Sequence, residues 1–530
     1  MVFKVSIAIV LALVVLAGIV PGAFNAAMQV TLTKVISSAG WLYLLVVFLA
    51  LVFLLYLAFG RLGKLRIGGE NAEPEFSRTS WLAMMFAAGM GIGLVFWGAA
   101  EPISHFASPP ESLAPQSSAS ARAAMRYSFF HWGLHPWAIY ALIGLSMAWF
   151  QFNRGGRGQI SDMLHPVLGK LHKGLAGHIV NITAVVATAI GVATTLGMGT
   201  MQIGAGLEQV FGIRSTTTLQ LIIIAVAFVL YMASSTSGVE RGIKWLSNTN
   251  LILAAALMLA IMFMGPTGFI FDTLTTTLGS YVNQLVTMSL RLSPFSDNNW
   301  VSDWTIFYWA WWIAWSPFVG AFIARISKGR TVSEFVMSVV VAPTLLGFLW
   351  FSVFGGAALE AQLFAGVDLV AALGNGYETV LFALFDSMLA TLLLSAIALM
   401  LLIIFFVTSA DSAVLVLASM STETAGDPPL SRRVVWGVAV ALIAAAMLLA
   451  GGLEALQTLI TIAALPFAIL MVLVMIGLYR VLDREHARLV RKAQLAQQMI
   501  DTWIEREMEA TEQAAADAES ANLKITSPAH

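Results

Sequence analysis

The sequence contains no cysteine among its 530 residues and few charged side chains. Without cysteine, disulfides, thiolate chemistry and cysteine-ligated metals are all excluded. Only 11% of the residues are charged, whereas soluble domains carry about 25%. Hydrophobic residues make up 59%, and a soluble chain of this length would need far more polar surface to cover its core. The composition therefore predicts an integral membrane protein.

Further absences narrow the functional class. The net charge is −1 with no basic stripe, so nucleic acid is not an expected partner. No Gly-x-x-x-x-Gly-Lys-Ser/Thr motif is present, which argues against an ATPase. Among eight histidines, only His131 and His135 stand at i,i+4 near a predicted helix start, and no carboxylate accompanies them in sequence. We expect neither an enzyme nor a resident cofactor.

Long apolar stretches indicate transmembrane helices, because a helix needs about 20 apolar residues to cross a bilayer. We predict twelve spans and interpret the first as a span rather than a cleaved signal peptide. The stretch Phe269–Leu292 is predicted to lie along the membrane surface, and Val367–Leu389 to contain a half-helix. The predicted spans are Val5–Val20, Trp41–Phe59, Trp81–Ala99, Phe129–Phe150, Ile179–Leu207, Thr218–Met232, Leu251–Met264, Trp304–Ala324, Phe335–Phe354, Leu389–Val407, Val434–Leu449 and Leu459–Leu478.

The distribution of Lys and Arg supports this topology. With both termini in the cytoplasm, 23 of the 28 basic residues fall on the cytoplasmic side and 5 outside. The positive-inside rule predicts such an asymmetry. The sequence therefore predicts a twelve-span domain over residues 1–480 in the inner (plasma) membrane. Residues 481–530 form a mixed-charge cytoplasmic tail, predicted to be helical and to become disordered after Ala515.

Glycines interrupt the third predicted span at Gly89, Gly91 and Gly93. Each glycine weakens a helix by about 1 kcal/mol relative to alanine, and a broken helix frees carbonyls that can bind Na⁺. The alternative is close helix packing through small residues, and the spacing alone does not decide between the two.

Aromatic residues are concentrated in the eighth predicted span, from Phe307 to Phe318. On a helical wheel, Tyr308, Trp311, Trp312 and Trp315 share an arc of about 100° and extend over about 10 Å. An interfacial tryptophan belt would sit at one depth, whereas this ladder suits a cage for a quaternary ammonium ion. A second set, Trp132, Trp137 and Tyr140, could form the opposite wall.

The polar residues in the predicted spans indicate which ion is coupled to transport. Intramembrane carboxylates would indicate a proton relay, but Glu101 and Glu208 are placed only at span ends. Thr408 and Ser409 close the tenth span with adjacent hydroxyls that could ligate a cation, although such hydroxyls more often bond to their own helix. Sodium is therefore favoured over protons.

These segments resemble the betaine/carnitine/choline transporters. The resemblance covers about Val5 to Leu478. It is carried by Gly89–Pro102 (GMGIGLVFWGAAEP), His131–Tyr140 (HWGLHPWAIY) and Phe307–Ser333. It implies an all-α, leucine-transporter-like fold, in which two N-terminal helices (residues 5–60) precede two inverted five-helix repeats over 81–264 and 304–478. A homotrimer is also typical of this family.

The resemblance also implies which residues bind substrate and sodium. The aromatic box would consist of Trp132, Trp137, Tyr140 and Trp312. The resemblance implies that Trp309, Trp311 and Trp315 line the substrate path or a second site. It also implies that Met90, Gly91 and Gly93 contact the substrate. A first sodium site is implied at Ala87, Met90, Phe405, Thr408 and Ser409, and a second at Thr188 and Phe318. Val192 stands where that second site would have another threonine.

Gly93 bears on the substrate, because glycine there resembles sodium-coupled betaine carriers and aspartate resembles proton-coupled choline carriers. The sequence therefore predicts a sodium symporter for glycine betaine. Choline, carnitine, ectoine or dimethylsulfoniopropionate remain alternative substrates, and sodium-independent exchange an alternative mode. An osmosensor or receptor without transport is the alternative of another class.

Overall fold

The structure, a computed structural model, describes residues 1–89, 91–110, 113–237, 240–295, 298–422 and 427–525. In these segments the regular structure is helical, and the only β-type pairing is an isolated bridge between Arg66 and Thr331. The chain divides into two compact units, Met1–Leu478 and Tyr479–His530. The boundary predicted at 480/481 lies two residues further along.

The helices are numbered in chain order, with short helical turns at Arg61–Lys64, Gly169–Lys173, Ser302–Ile306 and Tyr377–Thr379. They are α1 (Val2–Ile19), α2 (Pro21–Phe59), α3 (Arg78–Gly89), α4 (Ile92–Ala107), α5 (Ser118–Trp132), α6 (Leu134–Arg154), α7 (Ile160–Met163), α8 (His165–Leu168), α9 (Leu175–Phe211), α10 (Thr217–Ser237), α11 (Glu240–Met264), α12 (Thr267–Ser289), α13 (Phe307–Arg325), α14 (Val332–Leu363), α15 (Leu369–Leu373), α16 (Val380–Asp386), α17 (Thr391–Met420), α18 (Leu430–Gly451) and α19 (Leu453–Ile525).

Ten helices of the described segments are long and apolar enough to cross a membrane. Each coincides with one of the twelve predicted spans, so the prediction of an all-α, multi-span membrane protein is confirmed. The other two predicted spans, Trp81–Ala99 and Phe129–Phe150, coincide with pairs of shorter helices. The span count of twelve therefore stays a prediction.

The first interruption lies in the predicted span Trp81–Ala99, where α3 ends at Gly89 and α4 begins at Ile92. Gly91 precedes α4 in an extended conformation (φ −160°, ψ 179°). The interpretation of the glycine segment as a helix break is thus confirmed. Such breaks leave the terminal carbonyls and amides of both half-helices without intrahelical partners.

The second interruption, at Gly133, is missing from the sequence prediction of an unbroken span over Phe129–Phe150. Gly133 separates α5 from α6 with φ −94° and ψ −133°. The cause lies three residues further on. Pro136 has no N–H to donate to the carbonyl of Trp132, so a continuous helix would lose that hydrogen bond. Proline is instead well tolerated in the first turn of the new helix α6.

The core of the first unit is a packed set of helices around α13. Helix α13 lies against α6 and α9, while α4 packs on α5, α9 and α14. Large aromatic side chains fill these contacts and are almost completely buried, among them Trp97, Trp309, Trp311 and Trp350. This arrangement brings the aromatic face of α13 opposite the helices that flank both interruptions.

Two segments outside the predicted spans are helical as well. Phe269–Leu292 is mostly the helix α12, which packs on α5 and α14. Val367–Leu389 forms the short helices α15 and α16 with a helical turn between them, rather than one half-helix. In the second unit the prediction of disorder after Ala515 is wrong, because helix α19 extends to Ile525. Alanine-rich sequence without glycine or proline sustains the helix there.

The N-terminus of α14 offers a test of local stability. Thr331 is its N-cap, and the Thr331 hydroxyl accepts a hydrogen bond from the amide of Glu334 at 3.1 Å. We expect Thr331→Ala to cost about 1 kcal/mol, because an N–H at the helix start loses its acceptor. A lower midpoint of thermal unfolding in detergent would report this loss, and Thr331→Ser should retain the wild-type midpoint. Equal midpoints for the alanine and serine variants would contradict the capping role.

Candidate substrate and ion site

The four residues of the predicted aromatic box lie together in the structure. Ring contacts run from Trp132 to Trp312 (centroids 4.8 Å apart), from Trp312 to Tyr140 (6.1 Å) and from Tyr140 to Trp137 (5.5 Å). All three pairs are edge-to-face, with interplanar angles of 76°, 82° and 81°. Perpendicular neighbours are the arrangement needed for several ring faces to surround one cation.

Trp311 and Gly93 form the next layer of this cluster. Trp311 stacks on Trp312 at 4.7 Å and meets Trp132 edge-to-face at 6.1 Å. A Cβ atom built on Gly93 would lie 2.8 Å from Cη2 of Trp311 and 2.9 Å from Cη2 of Trp132. Both distances are shorter than van der Waals contact. Gly93 therefore permits α4 to approach the edges of both indole rings, and any side chain there would push them away.

The indole N–H groups of this cluster donate to protein acceptors outside the ring contacts. Trp132 Nε1 donates to Glu101 Oε2 at 2.8 Å, and Trp312 Nε1 donates to the carbonyl of His131 at 3.0 Å. Trp311 Nε1 donates to Thr195 Oγ1 at 3.1 Å. An indole N–H is a donor only, so each bond fixes a ring orientation. The ring faces are left to contact one another or a ligand.

Glu101 lies at the centre of a hydrogen-bond cluster that the sequence did not predict. Its placement at a span end is wrong, because it lies inside α4 and is completely buried. The carboxylate also contacts Tyr308 Oη (2.5 Å), His131 Nδ1 (2.7 Å) and His105 Nε2 (3.2 Å). The spacing of Glu101 and His105, one turn apart on one helix, was the available signal. Their partner on α5 depends on tertiary packing.

The same cluster corrects the view of the histidine pair, because a carboxylate does accompany His131. His135 instead points to Ser289, with Nε2 2.8 Å from Oγ. Glu101, His105 and His131 together offer three potential metal-ligating atoms within 4.8 Å of one another. The carboxylate oxygens, however, are already hydrogen-bonded to four side chains. This hydrogen-bond network accounts for the cluster without a metal.

Two predicted tryptophans lie away from the aromatic box. Trp309 is buried and stacks on His135 at 5.4 Å, on the side of α13 that faces α5 and α6. Trp315 is partly exposed and packs on Phe318 at 5.1 Å, further along α13. The aromatic residues of α13 thus fall into two groups. Trp311 and Trp312 lie in or against the box, whereas Trp309 and Trp315 lie outside it, so lining of a substrate path or a second site stays a prediction for these two.

Part of the predicted first sodium site can be located relative to the break between α3 and α4. Ala87 is in the last turn of α3, whereas Met90 lies outside the described residues. Gly199 on α9 brings Ile92 and Phe406 together, since its Cβ would be 2.9 Å and 3.1 Å from their side chains. This contact places the start of α4 beside the part of α17 that carries the remaining predicted ligands, Phe405, Thr408 and Ser409.

The two residues predicted for the second sodium site lie on α9 and α13, which pack against each other. Thr195 bonds to Trp311, and Gly191 lies against Trp315, with its Cβ position 3.0 Å from Cδ1. The two helices therefore run antiparallel here, and we expect Thr188, about one turn before Gly191, to lie at the level of Phe318. The hydroxyl of Thr188 is buried and has no hydrogen-bond partner among the described residues. An unpaired buried oxygen suits a cation ligand.

A cluster of edge-to-face aromatic rings among membrane-spanning helices, beside two interrupted helices, is the arrangement expected of a membrane transporter rather than an enzyme. Comparison with known proteins specifies the family, because residues 1–487 match the model of the BCCT, betaine/carnitine/choline family transporter. The chain belongs to this family, as the sequence motifs predicted.

Curated relatives cover nearly the whole chain. The chain is 46% identical over 495 residues to the glycine betaine transporter OpuD of Bacillus subtilis, covering 93% of this chain and 96% of the relative. It is 41% identical over 484 residues to the ectoine/hydroxyectoine transporter of Virgibacillus pantothenticus, covering 91% and 96%. A glycine betaine transporter of Acinetobacter baylyi is 40% identical over 477 residues, covering 90% and 72%.

Proposed function

We propose that the protein imports glycine betaine together with Na⁺ by alternating access. The aromatic box of Trp132, Trp137, Tyr140 and Trp312 is the observation that carries this proposal. A trimethylammonium group cannot donate hydrogen bonds, so ring quadrupoles must replace its hydration. The box residues keep only 5% to 7% of their surface exposed, which provides the desolvation that strengthens cation–π attraction.

Glycine betaine is favoured among quaternary-ammonium and related osmolytes by two observations. Gly93 resembles the position that is glycine in sodium-coupled betaine carriers. The names of two of the three relatives described above include glycine betaine, and the name of the third includes ectoine. Choline, carnitine, ectoine and dimethylsulfoniopropionate are the alternatives that a substrate assay must separate.

Sodium coupling is supported by the buried, unpaired hydroxyl of Thr188 and by the approach of α4 to α17. With Val192 in place of a second threonine, the Thr188–Phe318 site offers fewer hydroxyl ligands than the family pattern. We therefore propose the site formed by Ala87, Met90, Phe405, Thr408 and Ser409 as the main coupling site. Cytoplasmic termini, an inner-membrane location and a homotrimer complete the proposal.

Uptake into proteoliposomes tests the proposal as a whole. Labelled betaine, choline, carnitine, ectoine and dimethylsulfoniopropionate would be supplied separately, with an inward Na⁺ gradient or with K⁺ replacing Na⁺. We expect betaine to accumulate only with the Na⁺ gradient. Uptake that is independent of Na⁺ would refute coupling, preference for another substrate would refute the assignment to betaine, and the absence of uptake would favour a sensor.

Thr408 tests the main coupling site. Its hydroxyl donates to the carbonyl of Ile404 at 2.8 Å, which leaves oxygen lone pairs free for a cation. We expect Thr408→Ala to raise the Na⁺ concentration for half-maximal betaine uptake by about tenfold, since tenfold corresponds to about 1.4 kcal/mol. The matched control is Ser419→Ala on the same helix, where the exposed hydroxyl also bonds to its own helix at 2.9 Å. Identical Na⁺ dependence in both variants would place the ion elsewhere.

A further inference from the structure

Glu101 occupies a position next to the aromatic box that the transport scheme above does not use. It is buried in α4, and its two carboxylate oxygens contact two side chains each. Oε2 receives Trp132 Nε1 and Tyr308 Oη, while Oε1 is bonded to His131 Nδ1 and His105 Nε2. We propose that Glu101 is a positioning residue that gives the box its selectivity for a cationic head group, by orienting and polarising Trp132. This proposal rests on the proposed function.

The hydrogen-bond pattern assigns a negative charge to Glu101. Trp132 can only donate, and His131 has a second contact from Nε2 to Thr305 Oγ1 at 3.0 Å. A consistent assignment has Thr305 donating to His131, and His131, His105, Tyr308 and Trp132 all donating to Glu101. Four donors on two oxygens match the acceptor capacity of an ionised carboxylate. Burial without such donors would make this charge very costly.

A carboxylate that accepts from the indole N–H of Trp132 changes the electron density of the ring that faces the substrate. Charge-assisted hydrogen bonds are stronger than neutral ones, and hydrogen-bonded groups polarise each other in a low-dielectric interior. Donation from Nε1 of Trp132 shifts electron density toward its π system, which strengthens the attraction for a cation on the ring face. The unit charge of Glu101 itself adds a direct attraction across the ring.

The same network reaches the second tryptophan of the box. His131, whose ring bonds to Glu101, accepts the hydrogen bond from Trp312 Nε1 through its backbone carbonyl. Tyr308, held by Glu101, stacks on Trp312 at 6.0 Å and on the His131 ring at 4.6 Å. Glu101 therefore fixes Trp132 directly and Trp312 through His131 and Tyr308.

A charge-specific role can be separated from a purely structural one with an isostere of betaine that lacks the positive charge. In 3,3-dimethylbutyrate a tert-butyl group replaces the trimethylammonium of betaine, so shape and carboxylate remain while the positive charge is lost. Binding would be measured by tryptophan fluorescence and by competition with labelled betaine, using wild type, Glu101→Gln and Glu208→Gln. Glu208 is the matched control, because its carboxylate accepts from the amide of Ser215 in an exposed contact.

We expect Glu101→Gln to raise the Kd for betaine roughly ten- to thirtyfold. A unit charge about 8 Å from the ammonium alone would produce the upper figure at an effective dielectric constant of about 20, and repulsion of the betaine carboxylate reduces it. Affinity for the isostere should not fall, because Glu101 repels its carboxylate. Glu208→Gln should bind both ligands as wild type does. Parallel losses for betaine and the isostere, or unchanged betaine binding, would overturn the proposal.

A double-mutant cycle keeps the proposal testable whatever the affinity of the isostere. Trp132→Phe retains an aromatic face and removes the N–H that donates to Glu101. We expect Glu101→Gln to cost clearly less betaine affinity in the Trp132→Phe background than in wild type. Equal costs in both backgrounds would overturn polarisation through Trp132. Failure of the wild type to bind betaine would instead refute the proposed function.

Discussion

Replacing Trp312 by alanine is expected to abolish betaine uptake while the protein remains folded. Trp312 touches both Trp132 and Tyr140, so its ring joins the two ends of the aromatic box. Loss of one desolvated cation–π face costs up to about 2 kcal/mol, or about thirtyfold in affinity. Trp132 and Tyr140 also lose the ring on which they pack, so the total effect should exceed that figure.

The measurement is initial-rate uptake of labelled betaine in proteoliposomes, normalised to reconstituted protein. Trp245→Ala serves as the control, because Trp245 is 67% exposed on α11 and distant in sequence from the box segments. Wild-type uptake by the control together with background uptake by Trp312→Ala supports the box. Substantial uptake by Trp312→Ala would show that the substrate binds elsewhere.

The second large effect is expected at Gly93. Alanine there adds a Cβ atom within 3 Å of the edges of both Trp311 and Trp132, and these rings are hemmed in by buried neighbours. Overpacking of this kind typically costs 1–3 kcal/mol, about 5- to 150-fold if it falls on binding alone. We expect Gly93→Ala to raise the Kd for betaine at least about tenfold in a fluorescence titration.

Gly279→Ala provides the comparison for this substitution. Gly279 lies in α12, and no atom comes within 4 Å of its added Cβ. An alanine at that position improves helix propensity without a steric cost. If Gly93→Ala bound betaine as tightly as Gly279→Ala does, the ring edges would have to be mobile, and the argument for close packing at α4 would fail.

Much of this arrangement follows from sequence because its signals are local. Apolar length predicts the spans, and the helical wheel places Trp311 and Trp312 on one face. The glycine segment indicated either a helix break or close helix packing, and the structure shows the break between α3 and α4. The resemblance of the sequence motifs to the family implied that Trp132, Trp137 and Tyr140 belong to the same box. These features depend on residues within one or two helical turns, or on a family pattern that the chain carries unchanged.

Other features depend on tertiary contacts and could not be predicted in the same way. The role of Glu101 arises from α4, α5 and α13 meeting, so a residue judged to end a span becomes the centre of a hydrogen-bond network. Trp309 shares a sequence run with Trp312 but faces His135, because neighbouring positions on a helix point in different directions.

The break at Gly133, by contrast, has a local cause in Pro136 and could have been predicted from the sequence.

The central claim is that the trimethylammonium group of betaine binds inside the aromatic box. A cryo-EM structure of the protein with betaine and Na⁺ tests it most directly. We predict ligand density with the ammonium within about 6 Å of the ring centroids of Trp132, Trp137, Tyr140 and Trp312. Density against Trp309 or Trp315 with an empty box would contradict this account.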